Sequence, residues 1–266
     1  MEVSIALQLY SVRDAMTDDF GGTLRRVREF GYDGVEFAGL FGNSPQEVRR
    51  ICTDLELEPV SAHVPYGELL SGEAVFESYA AIGCTYIAIP WVDPECFAGG
   101  ARSDAFYDNV RRLGEIARRY QLKLCYHNHN FELEQVAGEY KIDRLYKAVS
   151  PELLSTELDT GWIKMVGADP ADFIRKYAGR AEIVHLKDFV DRQDLPASGE
   201  GDGKTAAERF ELRPLGCGAQ DLPAILQACS AVRTKWIVIE QERPSMGKNS
   251  LECADMSIRY LHSQSL

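Results

Sequence analysis

Short apolar runs alternate with longer stretches of helical period along this chain, eight times over. Strands are predicted at 3–9, 34–37, 59–62, 86–89, 122–126, 153–158, 183–186 and 236–239, because a short apolar run bounded by polar residues reads as a strand buried on both faces. Between them, apolar residues recur at helical spacing. Phe20, Leu24, Val27 and Phe30 form one such face within 18–30, and Gly31 ends it. Pro45 after Ser44 and Pro170 after Asp169 mark the first turns of two more helices. Others are predicted at 67–83, 104–120, 140–149, 221–232 and 249–263. One irregular stretch, 189–219, is long for a connection and reads as a functional lid.

Eight strand–helix repeats in 266 residues predict an α/β fold, a (β/α)8 TIM barrel in a single domain over 1–266, since such barrels take about 250 residues. The rival is a doubly wound open sheet, which usually carries a glycine-rich turn after its first strand. Here that strand runs into Gln8-Leu9-Tyr10-Ser11-Val12-Arg13, and the nucleotide-binding alternative loses support.

Polar chemistry gathers where four of these runs end: Tyr126-His127-Asn128-His129, Glu157-Leu158-Asp159, His185-Leu186-Lys187-Asp188 and Ile239-Glu240. Barrel enzymes build their sites at the carboxyl ends of strands. Side chains alternate along a strand, so Glu157 shares a face with Asp159, His185 with Lys187, and His127 with His129. With Leu158 and Leu186 turned to the helices, these polar pairs face the barrel axis. Burying so many charges unpaired costs several kcal/mol each, and a divalent cation offsets that cost. Taken singly, a strand-end histidine is more often a satisfied core group, and a strand-end glutamate is often an ion-pair partner. Asp159, His185 and Glu240 at three consecutive strand ends point together to a metal site. His262, late in the last helix, reads as surface or packing.

Composition narrows the partners. The formal net charge of −12 argues against nucleic acid, which needs a basic face. The pairs Arg25-Arg26, Arg49-Arg50, Arg111-Arg112 and Arg118-Arg119 fall in amphipathic helix patterns and read as solvated faces. No run of about 18 apolar residues is present to span a membrane. Met1-Glu2-Val3-Ser4-Ile5 lacks the basic start of a signal peptide. Seven cysteines without a CxxC pair read as reduced packing residues, so a cytoplasmic protein is expected.

The chain also resembles a known family. Gln-Leu-Tyr-Ser-Val-Arg at 8–13, Gly-Tyr-Asp-Gly-Val-Glu at 31–36, Ser-Ala-His-Val-Pro at 61–65, Tyr-His-Asn-His-Asn-Phe-Glu at 126–132, Leu-Asp-Thr-Gly-Trp at 158–162, Val-His-Leu-Lys-Asp at 184–188 and Glu-Gln at 240–241 are similar to motifs of the sugar phosphate isomerase/epimerase family. These are xylose-isomerase-like barrels, and the Tyr-His-Asn-His motif is similar to that of inosose dehydratases. The resemblance implies one divalent metal (Mn, Mg, Co or Zn) and a small sugar or keto-sugar substrate. It implies isomerisation or epimerisation through an enediolate. A metal-dependent lyase (an inosose-type dehydratase or an enzyme cleaving 3-keto C-glycosides) is the alternative, and a non-catalytic sugar-binding barrel is the third reading. An abasic-site endonuclease of the same fold would need more histidines and a basic groove.

By the same resemblance, Asp159, His185 and Glu240 match three of four metal ligands. Where relatives carry Glu in the fifth strand this chain has His127, so the fourth ligand is expected to be Glu132, then Glu134, then His127 itself. Glu240 is the expected proton-transfer group, opposed by Glu132 or Glu157, with Lys187 polarising a carbonyl. Gln8, Tyr10, Glu36, His63, His127 and Asp188 are expected around the sugar, Trp91 to stack on it, and Arg213 to reach it from the long loop. A homo-oligomer is left open.

Overall fold

The computed structural model describes residues 3–194 and 209–264. Twelve strands occur among the described residues: β1 (Ser4–Gln8), β2 (Gly34–Phe37), β3 (Glu58–Ala62), β4 (Tyr86–Ile89), β5 (Lys123–His127), β6 (Gln135–Val136), β7 (Glu139–Tyr140), β8 (Ser155–Asp159), β9 (Ile183–Leu186), β10 (Asp188–Asp191), β11 (Phe210–Arg213) and β12 (Trp236–Ile239). Eight of them form one parallel sheet in the order β3-β2-β1-β12-β9-β8-β5-β4. It closes into a barrel between β3 and β4 through Val64 N–H donating to Ala88 O at 3.0 Å and Thr85 N–H to Val60 O at 3.1 Å. The (β/α)8 barrel expected from the repeat pattern is therefore the fold.

Alternation along the strands produces two cores. Ala6, Val60, Tyr86, Ala88, Cys125, Ile183 and Val238 fill the barrel interior. Leu7, Val35, Phe37, Ile87, Leu124, Leu158, Val184, Leu186 and Ile237 point outward into the larger core beneath the helices. Helix ends follow their sequence signals. Asp19 caps Phe20–Phe30 and Gly31 closes it at φ 102°, while Ser44 and Glu47 form a capping box on Pro45–Asp54. Asn249 and Glu252 do the same for Ser250–Ser263.

Two expectations are revised. The single helix at 67–83 is two, Tyr66–Ser71 and Ala74–Ile82, because Gly72 adopts φ 153°, a backbone state closed to other residues. The 189–219 stretch begins and ends in an antiparallel hairpin, with Asp188 opposite Arg213 and Asp191 opposite Phe210. Its middle, 195–208, lies outside the described residues, so the expected lid is not described. All seven cysteines are free thiols and six are buried. Among the described residues no helix is long and apolar enough to cross a membrane.

Candidate active site

The inward face that carries Ala6, Cys125, Ile183 and Val238 continues, two residues on, to Gln8, His127, His185 and Glu240. Strand parity alone thus delivers these side chains to the carboxyl end of the barrel. Glu157 and Asp159 arrive there from β8, and all six are buried. His127, Asp159, His185 and Glu240 each bring one ligand atom to a common centre, the four atoms lying within 4.8 Å of one another. His185 Nδ1 is 3.1 Å from Glu240 Oε2, and His127 Nε2 is 3.6 Å from Asp159 Oδ2.

Neighbouring groups hold these side chains in place. The Asp159 N–H donates to Asn128 Oδ1 at 3.0 Å, and its Oδ1 accepts from the Trp162 N–H at 2.9 Å. That leaves Asp159 Oδ2 to the Lys187 ammonium at 3.0 Å and to His127 at 3.6 Å. A side chain at Gly161 would put its Cβ 2.8 Å from that of Lys187, so glycine here lets the lysine stem reach the centre.

Beside the four stands a second carboxylate–imidazole layer. Glu157 Oε1 lies 2.5 Å from His63 Nε2, 3.2 Å from His127 Nδ1 and 3.2 Å from His185 Nε2. Glu36 Oε1 lies 2.8 Å from His185 Nε2 and accepts from Gln8 Nε2 at 2.6 Å. Burial works against every charge here. It pushes Glu157 up, yet the imidazoles of His63 and His185 hold it well below the usual carboxylate range. Burial, with the Glu157 charge beside it, raises Glu36. Burial lowers His185, but Glu36 and Glu157 outweigh it and keep the ring protonated well above its ordinary value. His127, by contrast, is pushed well down by burial and stays neutral.

Lys187 completes the group. Its Nζ stands 3.0 Å from Asp159 Oδ2, 3.2 Å from Glu240 Oε2 and 2.6 Å from Glu242 Oε1. Burial opposes its charge, and those three carboxylates more than restore it.

The donor set fits a divalent cation: two imidazoles and two carboxylates, all buried, whose ligand atoms converge within 4.8 Å of one another. Such N/O sites suit Zn, Mn or Co. His127 already has the neutral form that a ligand needs, whereas His185 would give up a proton on metal binding.

A cavity of about 920 Å³ opens over this group, with His63, His127, His129, Glu240 and Glu242 among its lining. Tyr10 and Trp91 also line it. Gln8 and Glu36 lie in the buried layer, behind the surface that a substrate would meet.

Other expected residues stand elsewhere. Glu132 is outside this group and outside a second set, His63, His127, Glu157 and His185, whose ligand atoms also lie within 4.8 Å of one another. Its Oε1 accepts from the Tyr126 hydroxyl at 2.7 Å and its Oε2 from the His129 N–H at 2.9 Å, and burial raises its pKa to about 7. Glu134 is on the surface, paired with Lys141 at 2.6 Å. His127, the last of the three expected fourth ligands, is the one beside Asp159, His185 and Glu240. Asp188, expected at the sugar, instead accepts four backbone hydrogen bonds, from Phe189, Gly216, Gly218 and Gln220. Arg213 pairs with Glu211 at 2.9 Å across one face of β11. Asn128, Trp162 and Glu242 were not anticipated. Glu242 lies two residues past Glu240, on the same alternation, which is the signal that could have found it.

Residues 24–263 match the family described as xylose isomerase-like TIM barrel. The chain belongs to that family. The xylose isomerase-like chain is 26% identical over 271 aligned residues to an inosose dehydratase of Geobacillus kaustophilus (strain HTA426), covering 90% of this chain and 85% of that protein. Several further inosose dehydratases align over only about half of their own length. Among solved structures, a sugar phosphate isomerase/epimerase from Parabacteroides distasonis superposes with a TM-score of 0.80 at 19% identity, covering 99% of both chains. The IOLI protein, solved with a zinc atom, superposes with a TM-score of 0.71 at 15% identity, covering 98% of this chain and 97% of that one. At those identities the two structures speak for the fold alone.

Proposed function

We propose that this xylose isomerase-like barrel is a divalent-metal-dependent lyase. It would remove a β substituent, water in the simplest case, from a cyclic polyol ketone or keto-sugar. One observation carries the choice of elimination over epimerisation. An epimerase of this kind needs two carboxylates facing opposite sides of the reacting carbon, one to take the proton and one to return it. The candidates opposite Glu240 are unsuited: Glu157 is buried with its Oε1 against three imidazoles, and Glu132 is tied to Tyr126 and His129. What Glu240 shares the cavity with is a set of imidazoles, His63, His127 and His129, together with Glu242. With Glu242 held by Lys187 at 2.6 Å and His127 in the metal set, Glu240 as base and His63 as imidazole donor suit removal of a C–H proton and protonation of a departing hydroxyl. The inosose dehydratase relative, aligned over most of both chains, supports the same reading.

His127, Asp159, His185 and Glu240 would hold the metal. When bound, it would supply positive charge beside the substrate oxygens, where the enediolate develops negative charge. Glu240 would take the proton next to the carbonyl. His63, kept charged by Glu36 and Glu157 against the effect of its burial, would give one to the leaving oxygen. Lys187 would position the carboxylates of Asp159 and Glu240.

The test is incubation of the metal-reconstituted protein with an inosose and with simple ketoses in D2O. Formation of the unsaturated or diketo product from the inosose is expected, falling by a factor on the order of 10² in Glu240→Gln. Deuterated epimer without loss of water would establish the isomerase/epimerase reading instead.

A further inference from the structure

The register of two neighbouring strands puts a carboxylate behind an imidazole. β5 and β8 pair in parallel with His127 opposite Glu157, and both side chains are buried. Glu157 Oε1 stands 3.2 Å from His127 Nδ1, within hydrogen-bond reach. Two residues further along β8, Asp159 Oδ2 lies 3.6 Å from Nε2, the other nitrogen of the same ring. The imidazole is therefore held between two carboxylates of one strand, and only the first is at hydrogen-bond length.

That difference decides where the ring keeps its hydrogen. A neutral imidazole has one N–H and one lone pair, and a carboxylate can only accept. The hydrogen belongs on Nδ1, facing Glu157. The lone pair is then on Nε2, facing Asp159 and the centre where the four ligand atoms converge. His185 is turned the other way. Its Nε2 stands 2.8 Å from Glu36 Oε1 and 3.2 Å from Glu157 Oε1, and its Nδ1 faces Glu240 Oε2 at 3.1 Å. Two carboxylates share that far nitrogen, so loss of one leaves the other in place. At His127 Nδ1, by contrast, Glu157 is the single hydrogen-bond partner among the described residues. Glu157 Oε1 is itself fixed by His63 Nε2 at 2.5 Å.

We infer that Glu157 is a positioning residue: it keeps the hydrogen of His127 on Nδ1 and so presents the Nε2 lone pair to the cation. This rests on the metal set proposed above, His127, Asp159, His185 and Glu240. The two carboxylates of Glu157-Leu158-Asp159 then have different tasks, Asp159 to bind the ion and Glu157 to orient the imidazole beside it. Ligand histidines commonly donate their other ring N–H to such a group, and its loss lowers metal affinity about 10- to 100-fold.

The test uses the full chain, with zinc as the probe. In the metal-free protein with isotope-labelled histidine nitrogens, magnetic resonance reports which nitrogen of each ring carries hydrogen. His127 should carry it on Nδ1 in the wild type and in Glu157→Gln, whose amide oxygen still accepts. In Glu157→Ala it should move to Nε2, where Asp159 is the remaining carboxylate. Zinc affinity, read by competition with a chromophoric chelator, should fall about 10- to 100-fold in Glu157→Ala, while Glu157→Gln keeps most of it. A wild-type hydrogen on Nε2 overturns the inference, as does a Glu157→Ala protein that binds zinc like the wild type. Equal losses in the two variants would make Glu157 a ligand within the second set, with His63, His127 and His185, and overturn it too. Should the alanine variant fail to fold, the wild-type spectra and Glu157→Gln decide. If the wild type binds no zinc, the metal reading fails, and the ring spectra of the metal-free chain still decide whether Glu157 orients His127.

Discussion

The barrel carries charge at both ends, and the two ends are built on opposite terms. At the amino end, Glu182 lies just before β9 and receives the Tyr86 hydroxyl at 2.7 Å, Lys123 at 2.7 Å and Lys235 at 3.1 Å. One carboxylate meets two ammonium groups, all three partly open to water, and the buried Tyr86 phenol, and the cluster is self-contained. At the carboxyl end, Glu36, Glu157, Asp159 and Glu240 crowd around His185 and Lys187 in full burial. There Glu36 Oε2 and Glu157 Oε2 find no hydrogen bond. A satisfied cluster adds modestly to stability. An unsatisfied buried one costs stability and is kept where a ligand completes it.

The largest effect that can break this contrast is on metal binding. Asp159→Asn and His185→Ala are expected to abolish stoichiometric metal, read by elemental analysis, and to lower turnover by a factor on the order of 10² to 10³. Metal retained at wild-type levels in both variants would mean that the carboxyl-end cluster is no cation site at all.

A second experiment sharpens the boundary of the cluster at Glu132. Its carboxyl is raised from an ordinary value of 4.5 to about 7 by burial, which the hydrogen bond from Tyr126 only partly offsets. The folded value lies above the unfolded one, so its contribution to stability is full below the unfolded value and is lost as pH rises through about 7. Wild type should therefore lose up to about 3 kcal/mol across that window relative to Glu132→Gln, measured by urea titration at each pH. Metal content should not change in the variant. Loss of metal there would return Glu132 to the ligand set.

The smallest effect is at the amino end. Glu182→Gln should cost no more than about 1 kcal/mol, as half-exposed ion pairs do, and leave turnover as it was. A loss of turnover would show that the two ends are coupled through the barrel.

Much of this was legible in the sequence, for reasons that also mark where it failed. All eight barrel strands fall within a residue or two of the predicted bounds, because burial on both faces writes continuous apolar runs. Asp159, His185 and Glu240 could be grouped because period two is rigid once a strand's inward residues are known. The fourth member of the group turned on one residue. A fifth strand expected to end at Tyr126 runs to His127, and with Cys125 inside the barrel His127 must also face in. Asp188 and Arg213 were misplaced for another reason. Their positions depend on pairing across the chain between β10 and β11, and non-local pairing leaves no periodicity in either short segment. Gly72 split a helix that its apolar spacing alone would have continued.

The seam between β3 and β4 has a dynamic consequence. The other neighbouring strands are joined by three or four residue pairs, whereas these two meet at one bridge, His63 with Ala88. Proton exchange at the amides of Val64 and Thr85 should therefore outpace that at any other rung of the sheet. The wide side of the cavity opens beyond this same seam, past Pro65 and Trp91. Local opening of the barrel is expected there first, because the opposite wall, β8, β9 and β12, is held by longer ladders around Asp159, His185 and Glu240.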